Sequence, residues 1–109
     1  MPTFGQIIAD ERKKPGMSQK ELAARIKKEN GESISPQYLN DIEHDRRNPP
    51  GEFLIEQFAK VLGLPKDSLM IAAGLLPEDL RKLAGEKFAA EKYQHVADAV
   101  KLFRSKIKG

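Results

Sequence analysis

The sequence predicts an all-α protein, a five-helix domain followed by a C-terminal helical extension. Three observations carry that expectation. Proline and glycine divide the chain into helix-sized pieces. Hydroxyl residues suited to capping stand just ahead of apolar residues spaced three and four apart. No apolar–polar alternation persists over five residues, so no strand is expected.

The elements follow in order. Thr3 caps a first helix with Phe4, Ile7, Ile8 and the stem of Arg12 on one face, and the helix ends before Pro15-Gly16. Ser18 caps the second, with Glu21 completing a capping box and Leu22, Ala23 and Ile26 facing inward, and Asn30-Gly31 ends it. Ser35 caps the third, with Pro36 at its first position and Leu39 and Ile42 inward. Gly51 precedes a fourth, whose stripe is Phe53, Leu54, Phe58, Val61 and Leu62 and whose end is Gly63. Pro65 opens a fifth that ends at Gly74, and Pro77 opens the last segment. Two parts result: residues 1–76, the five-helix domain, and residues 77–109, a helical oligomerisation segment.

A chain of 109 residues buries one core, with or without a helical appendage. It has no cysteine, which excludes a disulfide framework and a cysteine-based zinc site. The start "MPTFGQIIADERKK" lacks the apolar stretch of a signal peptide, and no run approaches the ~18 apolar residues of a membrane span. A cytoplasmic protein with no membrane partner is expected. The net charge of +3 sits wholly in the tail. Residues 1–76 hold eleven Lys/Arg against eleven Asp/Glu, and residues 77–109 hold eight against five. Nucleic-acid binding by the first part must therefore rest on where charges are placed.

The stretch "SISPQYLNDIEHDRRNPP" is where they are placed. Its helix is apolar only at Leu39 and Ile42, with Tyr38 beside them, so Gln37, Asn40, Asp41 and His44 face away from the core. A helix held by so thin a stripe, polar at its start and outer face, has the form of one lodged in a DNA major groove. Gln and Asn can bond base edges in pairs, adenine being the usual partner. Arg46, Arg47 and Asn48 follow on the exit loop, where a phosphate would pass. Plainer readings stand beside these. Gln37 and Asn40 are ordinary exposed polar residues in the first. In the second, Arg46 and Arg47 pair with Asp45 or Glu43 on the surface, for about 0–1 kcal/mol. Tyr38 stands evenly between packing and reaching outward. Lys13 and Lys14 read as a solvated helix end.

Three segments, "MSQKELAARI", "ISPQYLNDIEHDRRNPP" and "FLIEQFAKVLGLPKDSL", together resemble the lambda-repressor-like, or Xre-type, helix-turn-helix regulators over residues 4–76. The resemblance implies a role for each matching position. Gln37, Tyr38, Asn40 and Asp41 would contact bases. Gln19, Ser35, His44, Arg46 and Arg47 would meet phosphates, Gln19 also supporting the reading helix. Arg12 would pair with Glu43. One departure is the long link "KKENGESI". Either the second helix runs on or the turn bulges, and Lys27 and Lys28 can add phosphate contacts. Asp41 can accept from cytosine N4 or face solvent.

Other chemistry finds no support. His44 and His95 have no metal-ligand spacing. Asp41, Glu43 and Asp45 alternate, but without the glycine and the final acid of a calcium loop. No Ser–His or paired-carboxylate arrangement can be argued, so no enzyme, metal or cofactor is expected. In the tail, Ala89, Tyr93, Val96, Val100, Phe103 and Ile107 step four, three, four, three, four, a heptad stripe that Phe88 and Leu102 widen. It either packs back on its own domain or forms a subunit contact, with Tyr93, Val96, Val100, Phe103 and Ile107 as the interface. The expected function is a DNA-binding transcriptional regulator. It would act as a homodimeric repressor on double-stranded DNA, with the helix at 35–44 in the major groove. The alternative is an antitoxin-like or antagonist-controlled protein whose tail binds a different chain, a toxin or a protein antagonist.

Overall fold

A computed structural model describes residues 2–77 and 79–82. The chain divides into two units, Met1–Leu75 and Leu76–Gly109. Of the second unit, residues 79–82 are helical, and the Arg81 N–H donates to the Pro77 carbonyl. The tail stripe from Ala89 to Ile107 lies outside the described residues.

The first unit is five helices: α1 (Phe4–Lys13), α2 (Gln19–Arg25), α3 (Pro36–Glu43), α4 (Glu52–Leu62) and α5 (Lys66–Ala72). Each begins where the sequence offers a start. Thr3 and Gln6 form a complete capping box on α1, Gln6 Oε1 accepting from the Thr3 N–H while Thr3 Oγ1 accepts from the Gln6 N–H. Ser18 caps α2 by accepting from the Glu21 N–H, but the expected return bond from Glu21 is not formed. Gly63 ends α4 in the left-handed conformation, with φ 69°, which a side chain would disfavour.

The core is built from one stripe of each helix: Phe4 and Ile8, Leu22 and Ala23, Leu39 and Ile42, Ile55, Phe58 and Ala59, Leu69 and Met70. Phe4 and Phe58 meet edge to face with centroids 6.2 Å apart, tying α1 to α4. The α4 stripe differs from expectation. Ile55 is fully buried and Phe53 is 40% exposed. The buried positions run 55, 58 and 59, and Phe53 lies two residues from Ile55, on the far side of a 3.6-residue turn.

The long link corrects one further expectation. The second helix does not run to Asn30-Gly31. It stops at Arg25, and Ile26 is extended at φ −95°, ψ 112°. The link then makes a short antiparallel excursion held by one isolated bridge between Lys27 and Ser33, without forming a strand. The Ile34 N–H donates to the Ile26 carbonyl at 3.0 Å, and the Lys28 N–H to the Glu32 carbonyl at 2.8 Å. Gly31, at φ 87°, turns the tip. Asn-Gly is a strong turn signal between paired extended segments, and here that role prevails over ending a helix. The reason is burial: Ile26 and Ile34, at 0% and 4% exposure, enter the core side by side at the base of the excursion. Among the described residues, no helix is long and apolar enough to cross a membrane.

Candidate nucleic-acid interface

The third helix is held from below by Leu39 and Ile42, both buried. Ser35 Oγ accepts from the Tyr38 N–H at 3.0 Å, satisfying one of the free donors of the first turn. Pro36 has no N–H to satisfy. The outer face carries Gln37, exposed, with Asn40 and Asp41 half-buried.

Behind that face lies a chain of charge-assisted bonds. Arg12 Nε donates to Glu43 Oε2 at 2.7 Å and Nη2 to Oε1 at 2.9 Å, a two-point fork. Its Nη1 donates to the Met17 carbonyl at 2.8 Å. The pair is buried, with side chains 11% and 2% exposed. The hydrogen bond from Glu43 raises the Arg12 pKa, against the opposing effect of burial. Gln19 extends the chain: its Nε2 donates to Glu43 Oε1 at 2.9 Å and to Asn40 Oδ1 at 3.1 Å. Both amide hydrogens of Gln19 are therefore used inside the network, and its side chain keeps only an acceptor. Asn40 is held by its oxygen, and its Nδ2 donors make no hydrogen bond among the described residues.

Above the face, Asp41 is a hub. Its Oδ1 accepts from Gln37 Nε2 at 3.1 Å. Arg46 Nη1 lies 3.7 Å from Oδ1 and Arg47 Nε 3.7 Å from Oδ2. The two arginines thus pair with Asp41, not with Asp45 or Glu43 as the plainer reading supposed. Those acids are engaged elsewhere, Glu43 by Arg12 and Asp45 by the Thr3 hydroxyl, which donates to Asp45 Oδ2 at 2.7 Å. The Arg47 guanidinium also lies over the Tyr38 ring, 5.4 Å from its centroid. Burial raises the Tyr38 pKa and Arg47 opposes it. Tyr38, Arg46, Arg47, Asn48, Pro49 and Pro50 line an open recess of about 460 Å³ beside α3. His44 sits at the end of α3 with Nδ1 2.8 Å from the Asn40 carbonyl. Nδ1 must carry hydrogen to make that bond, so Nε2 can donate to a phosphate only in the imidazolium form. Lys27 and Lys28 are turned to the link itself, toward Ser33 and Glu32.

Sequence reasoning missed two structural residues. A Cβ on Gly5 would overlap the Ile42 carbonyl oxygen and lie 2.6 Å from Asp45 Oδ1 and 2.9 Å from the Glu43 carbonyl oxygen. Only glycine lets the start of α1 approach the end of α3 so closely. Asp45 takes φ 56°, reversing the chain after α3 while holding Thr3. A glycine inside an amphipathic helix pattern is the available signal for Gly5.

Five helices with a braced third helix, polar face outward, define a helix-turn-helix protein. The helix-turn-helix family pattern matches residues 8–69, more than half of the chain. The chain belongs to this family, in its lambda-repressor-like (Xre) form, and is a DNA-binding regulator. Among solved structures it is similar to a SinR protein/SinI protein complex, at 21% identity and a TM-score of 0.52, covering 97% of this chain and 98% of that one. That likeness is one of fold. No curated protein matches the chain significantly.

Proposed function

We propose that the protein is a sequence-specific repressor, acting as a homodimer in the cytoplasm, with α3 in the major groove. The observation that carries this is the outer face of α3. Its Asn40 is oriented from behind by Gln19, which Glu43 and through it Arg12 hold in place, and its exit loop carries two arginines that are 59% and 60% exposed. Gln37, Tyr38, Asn40 and Asp41 read base edges. Ser35, His44, Arg46 and Arg47 hold phosphates, the arginines at the recess beside Tyr38. Gln19 acts through its side chain as a positioning residue and meets a phosphate only through its backbone N–H at the start of α2.

One short reading helix on a domain without net positive charge binds weakly alone. Two-fold pairing supplies the missing affinity, and the stripe Tyr93, Val96, Val100, Phe103 and Ile107 is the proposed contact. A second reading has one specific support: the SinR chain of similar fold was solved with a different protein, SinI. In that reading the tail binds a protein antagonist or toxin.

Selection of bound sequences from random duplex DNA tests both. The proposal expects an enriched pair of symmetric half-sites. Gln37→Ala and Asn40→Ala should each relax one base pair at about 1–3 kcal/mol. Enrichment of no sequence, by a protein that is monomeric on its own, favours the second reading.

A further inference from the structure

Asp41 is the one acid on the reading face whose carboxylate is held by three of the groups proposed to meet DNA. Gln37 donates to it at 3.1 Å. Arg46 and Arg47 flank it, one on each oxygen, at 3.7 Å. The Asp41 side chain is only 19% exposed, while the two arginines keep 59% and 60% of theirs. The carboxylate is mostly covered, and its two arginine partners are mostly exposed. A separation of 3.7 Å also exceeds a directed N–H···O bond, so the arginines are attracted without being locked.

We propose that Asp41 is a specificity-determining counter-charge. Away from its site it neutralises Arg46 and Arg47 and holds the Gln37 amide. At its site a cytosine N4 amine bonds the carboxylate, competes with Gln37 for it, and weakens its hold on the two arginines. The proposal rests on the DNA reading above and adds a base preference and a mechanism to it.

On an arbitrary duplex, phosphates compete with a carboxylate already beside both guanidiniums, and they are repelled by it. Sequence-independent binding, which depends on phosphate contacts, is held down. Where a C·G pair presents its N4 amine to the major groove, Asp41 gains a donor that no other base edge offers in that position except adenine N6. One acceptor site of the carboxylate is then taken by the base. The Gln37 amide becomes available to the neighbouring base, and the guanidiniums to the backbone. The balance of eleven cations and eleven anions in residues 1–76 fits a domain that does not rely on bulk charge.

Fluorescence anisotropy of the full-length protein tests this. The probes are the duplex selected above, that duplex with its C·G pair reversed, and a random duplex, between 50 and 200 mM salt. Asp41→Asn removes the charge and should tighten binding to the random duplex. Its salt slope should steepen by about 0.9 for each additional phosphate neutralised, or about 3.5-fold in affinity for each across that salt range. Preference for the C·G pair should fall. Asp41→Glu keeps the charge but displaces it by a methylene, so it should retain the parent slope and lose the preference. Adding Arg46→Gln and Arg47→Gln to Asp41→Asn should abolish the tighter binding. Circular dichroism confirms that each variant is folded, and Asp41→Ala, which also removes the charge, replaces Asp41→Asn throughout if the latter is not.

The proposal is overturned if the parent prefers its selected duplex while Asp41→Asn leaves random-duplex affinity and slope unchanged. It is also overturned if the tighter binding survives loss of both arginines. In either case the DNA reading stands. A parent that distinguishes no duplex removes the reading itself, and the proposal with it.

Discussion

Replacing Arg12 by methionine should remove a large share of the domain's stability, and the structure sets the size. The mutation deletes both arms of the fork to Glu43 and leaves a carboxylate whose side chain is 2% exposed. Breaking one side of a buried ion pair costs about 3–5 kcal/mol, chiefly because the remaining charge is stranded. Gln19 still donates to Glu43 Oε1, so the lower half of that range, about 3–4 kcal/mol, is expected. Folded domains hold only about 0.05–0.15 kcal/mol per residue, so the loss approaches the total for a domain of this size.

Glu43→Leu should cost less, since Arg12 keeps its bond to the Met17 carbonyl and its long stem can carry the charge toward water. The double variant Arg12→Met with Glu43→Leu removes both charges and fills the space with apolar atoms. It should lie within about 1–2 kcal/mol of the parent. Urea unfolding followed by circular dichroism gives the three differences, provided the slopes against urea agree. The coupling energy should be about 2–4 kcal/mol, well beyond the ~0.5 kcal/mol tolerance of independent sites. Single and double losses that simply add would refute the claim that the pair braces α3 as a unit.

Three further outcomes are expected. Gly5→Ala should destabilise by about 1–3 kcal/mol, because overpacking against the Ile42 carbonyl outweighs the better helix propensity of alanine; thermal unfolding decides, and a raised melting temperature would contradict the close approach. The raised pKa of Tyr38 means that the folded phenol ionises above its unfolded value of about 10, so its stabilisation is full below about pH 10 and falls as pH climbs through the folded value. The difference in melting temperature between parent and Tyr38→Phe should therefore stay constant below about pH 10 and drift as pH rises above it, and parallel curves there would refute it. Cutting the chain after Leu76 should leave a folded domain, since the core from Phe4 to Met70 lies within it, but one that sediments as a monomer and binds operator poorly. A fragment that dimerises as tightly as the full chain would move the proposed interface out of the tail.

The parts of the fold legible in the sequence are those encoded locally. Thr3, Ser18 and Ser35 each cap the helix they precede, because a cap depends on residues within one turn. Gly63 and Gly74 stand where left-handed backbone is needed. What was not legible depends on tertiary packing. The phase of α4 is set by what Ile55 meets across the core, and Phe53 and Ile55 are indistinguishable to a stripe argument at a helix start. The crowding at Gly5 needs α1 and α3 to be placed before it can be seen. On the reading face, the residue types and their spacing indicated which side chains face outward. The sequence could not say which of three nearby acids the arginines would choose. That choice falls to Asp41 by exclusion, and the exclusion is made by Arg12 and Thr3 from a distant part of the chain.

The long link shows why an insertion beside a reading helix need not disturb it. The excursion leaves the core at Ile26 and returns at Ile34, and these two residues are bonded to each other through their backbones at 3.0 Å. Everything between them lies outside that closure. The position at which α3 begins is thus set by two buried isoleucines and not by the length of the tip. Lengthening such a closed loop costs little, about 0.6 kcal/mol for each doubling. Lys27 Nζ and the Ser33 hydroxyl fasten the base again, Ser33 Oγ donating to the Ala24 carbonyl at 3.0 Å. The contact that matters to the reading face, Gln19 to Asn40, joins the start of α2 to the middle of α3 and does not pass through the insert at all. The same contact explains why the brace must be polar. An apolar stripe of two residues fixes the depth of α3 but leaves it free to roll about its axis. Directed bonds from Arg12 and Gln19 to Glu43 and Asn40 resist that roll, and it is the roll that determines which side chains a groove would meet.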